Sequence, residues 1–282
     1  MKTPLLLALL CLPVVAQDSK PASMPSLAQL VEELKAREKK SDAVVLEMSS
    51  KAWLGGDRVL ATTGTMRVLS TTHVHVRMNA DFGDGMTGEN ETVKTPDGVW
   101  TREKDPSQGT VYTFVPPELL ARLEAAMKVL GGGDADVPGV PNDISAARGS
   151  ALLESLAQSF DQTGARTILV DKEECYVVEG KSKTAPAKRA AEDFDLPEPD
   201  QIEVLVRKQD HVLATMRQFK DGKPLLEVKI TRIEFPQTLS KESFAITPPE
   251  GVRFKNVMDH PPAREQIERI LAEADAKKKK GG

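Results

Sequence analysis

Leu226-Glu-Val-Lys-Ile-Thr231 alternates apolar and polar residues one by one. Leu226, Val228 and Ile230 therefore face one way and Glu227, Lys229 and Thr231 the other, the period of a half-buried strand. Upstream, Ile202-Glu-Val-Leu-Val-Arg207 is β-branched and bounded by polar turns, and it predicts another strand. Asp221-Gly222, between two such runs, supplies the positive φ angles of a tight hairpin. Together they predict a three-stranded antiparallel meander in place of a nucleotide-binding βαβ unit. After Ile230 the parity slips, because Ile233 and Phe235 fall on the opposite count to Leu226 and Val228. A bulge or sharp coil near Thr231-Arg232 would return all of them to one side. The stretch closes on Ser243-Phe-Ala-Ile-Thr-Pro-Pro-Glu-Gly-Val-Arg-Phe254.

Working outward, strands are expected over residues 44–53 and 62–78, the latter broken near 70–72. In its second half Val74, Val76 and Met78 share one face and His73, His75 and Arg77 the other. Residues 83–91 read as a polar turn. Short strands at 92–94 and 99–102 flank the Pro96-Asp97-Gly98 turn, and one more follows at 110–115. At the front, Ser26 precedes Leu27, Leu30, Val31 and Leu34, the stripe of an amphipathic helix capped by the Ser26 hydroxyl and ended by residues 39–41.

The β pattern stops for some fifty residues. Pro116-Pro117 opens a helix with Leu119, Leu120, Leu123, Met127 and Leu130 on one face, and Gly131-Gly132-Gly133 ends it. After a Pro/Gly/Asp loop, a second helix over residues 143–160 presents Leu152, Leu153, Leu156 and Phe160. Two readings stand open: a movable cover over the sheet, or a fixed plug at one end of a barrel. Strands resume at 166–170 and 175–178. Residues 181–199 read as a charged loop with one helical turn at 188–192. A last helix over 261–276 carries Ile267, Ile270 and Leu271, and Lys277 to Lys280 read as its solvated tail. The divisions are 1–16, 17–25, 26–258 and 259–282, with the strands too interleaved to split the main unit.

Lys2, the apolar run over residues 5–15 and the small residues of Val14-Val15-Ala16 make residues 1–16 a cleaved secretory signal, so the mature chain is expected to be periplasmic. Leu10 is bulky where a lipid-attachment site at Cys11 would need a small residue. The formal net charge of −4 argues against nucleic acid as partner. Once Cys11 leaves with the signal, Cys175 has no partner for a disulfide and reads as a small buried hydrophobe.

Catalysis leaves no signature here: there is no nucleophile elbow, zinc spacing or phosphate-cradling loop. His73 and His75 supply two metal ligands at most, so neither enzyme activity, metal nor cofactor is expected. An apolar ligand needs no motif, only inward hydrocarbon and space. Aromatic residues make up just 4% of the chain while methionines number nine, a side chain that adapts to irregular hydrocarbon. The candidate lining is Leu46, Met48, Met66, Val68, Val74, Val76, Met78, Val228 and Ile230 from strands, with Leu119, Leu123, Met127, Leu153, Leu156 and Phe160 from helices.

Phe244-Ala-Ile-Thr-Pro-Pro-Glu-Gly-Val252, Asp97-Gly98-Val99-Trp100 and the position of Gly64 carry a resemblance, as does the order of elements. Over residues 26–254 the chain resembles the outer-membrane lipoprotein carrier (LolA-like) family and the wider superfamily of periplasmic lipid-binding proteins. The resemblance implies a mainly β (α+β) fold: a strongly curved, antiparallel, half-open barrel with a helical lid and terminal helices. It also implies a carrier whose cavity takes lipoprotein acyl chains or lipid; the chain is expected to be a monomer, with membrane-associated release and acceptor proteins as further partners. Where that family has Arg-Pro after its second strand, this chain has Leu69-Ser70-Thr71. The alternative is an envelope regulatory or scaffold protein that uses the same fold to bind a protein.

Overall fold

The computed structural model describes residues 24–40, 43–55, 58–70, 72–107, 109–130, 149–170, 172–183 and 197–281. The expected signal, Cys11, the triple-glycine connector and the turn at 188–192 lie outside these.

Helix α1 (Leu27–Glu38) starts where Ser26 predicts. The Ser26 hydroxyl accepts from the Gln29 amide and the Gln29 side chain accepts from the Ser26 amide, a reciprocal cap. Leu27, Leu30, Val31 and Leu34 are all buried. Six strands follow: β1 (Val44–Trp53), β2 (Val59–Ser70), β3 (His73–Asp81), β4 (Thr87–Thr95), β5 (Gly98–Asp105) and β6 (Gly109–Val115). Helices α2 (Pro117–Leu130) and α3 (Gly149–Ser159) interrupt them. Then come β7 (Phe160–Val170), β8 (Glu173–Ser182), β9 (Gln201–Arg207), β10 (Leu213–Lys220) and β11 (Lys223–Glu234). The short β12 (Lys255–Asn256) and helix α4 (Pro261–Gly281) end the chain.

All twelve strands lie in one sheet, ordered β12-β6-β5-β4-β3-β2-β1-β11-β10-β9-β8-β7. Two meanders, β1–β6 and β7–β11, are joined by antiparallel pairing of β1 with β11. Every neighbour is antiparallel except β12, which runs parallel to β6. The sheet does not close: β7 and β12 stand at its two margins. The chain thus adopts the expected mainly β, half-open antiparallel architecture with helical additions.

The expected bulge is present. Glu47 pairs with Arg232 and Met48 with Ile230, so Thr231 is the extra residue on β11. Ile233 thereby pairs with Leu46 and returns to the face of Ile230 and Val228. The β10–β11 turn is equally legible, with Asp221 and Gly222 at φ of 50° and 74°.

Four expectations are corrected. Residues 87–91 are not turn; they open β4, which pairs with β3 from Val74 to Asp81, so the ladder of a neighbour outweighs a weak strand pattern. Phe160 is not helical: it begins β7, opposite Ser182. Its leucine-like spacing from Leu153 and Leu156 continued the helical stripe across the boundary. Strands β7 and β8 are likewise longer than expected. The lysines at 277–280 continue α4 to Gly281, and Lys277 Nζ donates to the Leu130 carbonyl at the end of α2 (2.9 Å).

Three apolar clusters lie on one face of the sheet. One gathers Leu30, Val31 and Leu34 of α1, Leu153 and Leu156 of α3, and Phe160, Val178, Val204, Val206 and Met216 of the sheet. A second joins Leu119, Leu120 and Leu123 of α2 to Ile267 of α4 over Val99 and Val115. A third, smaller, holds Val68 and Val74. Cross-strand partners share a face. The pairs Val99–Lys94, Lys94–Val74, Val74–Val68 and Val68–Val44 place the second cluster on the same side as β1's Val44 and Leu46. The pairs Leu46–Ile233 and Met48–Ile230 carry that side on to the first cluster. This is the inner face; the opposite one is called outer.

Candidate binding faces

The inner face is built by period-two alternation locked into register. Met48, Gly64 and Met78 form one cross-strand row, Leu46, Met66 and Val76 the next, and Val44, Val68 and Val74 the third. Burial falls along this direction. Val44, Val68 and Val74 are at most 2% exposed, whereas Met66, Val76, Met48 and Met78 are half-buried. Gly64 makes the outermost row possible: a Cβ there would overlap Met78 Sδ, which lies over the bare backbone.

The helices divide the remaining candidate residues. Leu153, Leu156 and Phe160 pack with Val228 and Ile230 in the α1–α3 cluster, while Leu119, Leu123 and Met127 pack in the α2–α4 cluster. Met66, Val68, Val74 and Val76 sit together between them. Leu46, Met48 and Met78 adjoin these by register. Every candidate residue placed on a strand therefore shares one face, yet α2 and α3 cover different ends of it, each paired with a terminal helix. Under α1 and α3 the packing is tight: the hollow bordered by Leu34, Leu213, Ile230, Ile233 and Phe235 measures about 10 Å³, of the order of a single water site. The sequence did not reveal that α1 and α4 would fill these ends, since both contacts join residues more than a hundred positions apart.

Glu38, 6% exposed, ends α1 and accepts from both the amide and the hydroxyl of Ser150 in the first turn of α3. A carboxylate there meets unpaired amides and the positive end of the helix dipole. Gly149 lets the helices approach, because a Cβ would stand 2.9 Å from Leu34 Cδ2.

The outer face carries ion pairs that cross-link its polar residues, beside the buried Val93, Val177 and Leu205. Arg217 bridges Glu203 (2.6 Å) and Glu227 (2.8 Å) on the two neighbouring strands, and Arg166 joins Glu203 (2.9 Å). Burial pushes the Glu227 carboxyl up, but hydrogen bonds from Arg217 and Lys229 outweigh it and hold the group below its ordinary value. Burial pushes the Cys175 thiol up, in keeping with a packed residue rather than a nucleophile.

Residues 236–254 return across this outer face. The Ser243 carbonyl lies 2.8 Å from His75 Nδ1, Phe244 meets the His73 ring edge-on at 5.6 Å, and Phe254 meets Tyr112 likewise. Pro249 to Val252 form a hydrogen-bonded turn with Gly251 at φ 80°. His73 and His75 do share a face, but each is held separately: His75 Nε2 contacts Glu91 at 2.9 Å, and His73 lies against Ser70 and Thr72. Among β1–β4 this face forms a groove of about 630 Å³ lined in part by Glu47, Thr65, Arg67, His75, Arg77 and Glu91. That groove was not anticipated; a run of charged and hydroxyl residues at alternate strand positions was its only trace in the sequence.

Among the described residues no helix is long and apolar enough to cross a membrane. No family of known sequences matches the chain, and neither does any curated protein. Solved structures do show likeness. LprF from Mycobacterium bovis is 14% identical, with a TM-score of 0.43, over 77% of this chain and 98% of that one. An uncharacterised conserved protein from Thermus thermophilus is 13% identical (TM-score 0.41) over 80% of this chain and 97% of that one. Pseudomonas aeruginosa MucB, solved with MucA, is 12% identical (TM-score 0.40), and this chain spans 61% of its length. A LolA superfamily protein from Nitrosomonas europaea is 8% identical (TM-score 0.24) over 79% of this chain and 98% of that one. Likeness of this degree transfers no ligand and no partner.

Proposed function

We propose that this chain is a non-catalytic binding protein of the cell envelope, exported to the periplasm, that holds an acyl chain or lipid against the inner face of its sheet. One observation carries the reading: Met48, Met66, Val76 and Met78 form a half-buried apolar strip between two separately anchored helix pairs. Such a strip leaves hydrocarbon in contact with water, and an acyl chain laid along it gains about 0.8 kcal/mol per buried methylene. Methionine conforms to a kinked or branched chain better than a β-branched residue does. Lipoprotein sorting is the role this reading favours.

Native mass spectrometry of protein taken from its own periplasm tests it, together with titration of a fluorescent fatty acid. Bound lipid and saturable uptake are expected, and Met66→Gln with Met78→Gln should weaken uptake by about tenfold, or about 1.4 kcal/mol. Repeated preparations without lipid and without uptake would reject the carrier.

The hollow of about 10 Å³ under α1 and α3 favours a second reading, because that end is already filled. In it the fold is a regulatory scaffold that binds a protein partner. This reading expects a complex that survives delipidation and weakens when α4 is removed.

A further inference from the structure

The outer-face groove holds a cation, Arg67, that none of the described residues pairs with. Arg67 is half-buried and opens into the space of about 630 Å³, a volume suited to a small molecule. Among the described residues its guanidinium has no hydrogen bond and no ion pair. The carboxylates nearby are already engaged: Glu47 with Arg232 (3.2 Å), Glu91 with His75 (2.9 Å) and Arg102 (3.1 Å). Arg77, one row along on the same face, has only a loose pair with Glu89 at 3.7 Å. The groove thus carries a surplus of unmatched guanidinium charge, although its walls contain acids. Thr65 stands beside Glu47 and Arg77 in the cross-strand row and adds a neutral hydroxyl. A guanidinium presents parallel N–H donors that match the two oxygens of a carboxylate or phosphate.

We infer that Arg67, with Arg77, forms a binding site for the oxyanion of a small polar molecule, a phosphate ester or a carboxylate, on the face of the sheet opposite the proposed hydrocarbon strip. Arg67 cannot serve to hold the helices, since they cover the other face.

Isothermal titration of the full chain at fixed ionic strength, with inorganic phosphate, glycerol 3-phosphate and glutarate as probes, tests the site. Saturable one-to-one binding of at least one probe is expected. Arg67→Gln should weaken it by about ten- to a hundredfold, the loss of one charge-assisted bidentate contact. Arg67→Lys should recover part of it, whereas Arg122→Gln, on the exposed side of α2, should bind as wild type does. Phosphate esters binding above glutarate, or the reverse, names the class. The site is overturned if no probe binds beyond a chloride control, or if Arg67→Gln and Arg122→Gln bind alike, which would mean general attraction only. Thermal melting of each variant checks that the fold is kept; if Arg67→Gln melts early, equal affinity of wild type and Arg67→Lys would equally overturn a guanidinium site.

Discussion

Gly98 shows what a single residue contributes that its neighbours in sequence do not disclose. Asp97-Gly98 is readable as a turn, and it is one, with Gly98 at φ 134°. The second constraint comes from Val115, seventeen positions later, whose carbonyl would stand 2.5 Å from a Cβ at Gly98, with the Phe114 ring 2.6 Å away. Gly222 is also left-handed, at φ 74°, but a Cβ there meets nothing within 4 Å. Gly98→Ala should therefore cost about 1–3 kcal/mol from strain and collision together. Gly222→Ala should cost about 1 kcal/mol, from conformation alone. Urea unfolding of the two variants measures the difference; equal losses would mean that the Val115 carbonyl moves aside freely. Glu227 gives a second residue-level expectation. Its carboxyl lies lower in the folded chain than its ordinary value, so it contributes stability above that ordinary value near 4.5, and the contribution is lost as pH falls through the folded value. Glu227→Gln should lose less stability than wild type between pH 7 and acid conditions, as followed by urea midpoints at each pH.

At the scale of elements, legibility tracks whether the deciding contacts are local. Helix α1 is readable to the residue because its cap and stripe lie within its own sequence. The β11 bulge is readable because parity must be restored within a few residues. The end of α3 is not, because pairing with Ser182 pulls Phe160 into β7. Nor is the docking of α3, which rests on Glu38. Replacing that carboxylate leaves the buried amide and hydroxyl of Ser150 without their acceptor. Glu38→Ala should cost about 1–3 kcal/mol. Because the loss falls at one junction, hydrogen exchange should rise in α3 and α1 before it rises in β2 and β3. Uniform acceleration across the sheet would show that α3 does not open by itself.

Over the whole molecule, period-two parity and register together placed the candidate strand residues on one face. They left the distribution of space along it undecided. Helix α4 folds back on α2 and α1 lies on α3, so both ends of the inner face are packed, while Met48, Met66, Val76 and Met78 between them stay half-buried. The methionines report this gradient. Met86 is 50% exposed at the β3–β4 turn, Met48, Met66 and Met78 are half-buried on the strip, and Met216 is 5% exposed under the α1–α3 cluster. Peroxide converts a methionine to its sulfoxide according to its access. Peptide mass spectrometry should therefore find Met86 oxidised first, the strip next and Met216 last. A long-chain fatty acid laid along the strip would slow Met48, Met66 and Met78 while Met86 and Met216 keep their rates. Protection of all the methionines alike would point to general closure of the molecule around its ligand. If the fatty acid saturates its binding and Met66 and Met78 still oxidise unchanged, hydrocarbon lies elsewhere and the strip is surface without that role.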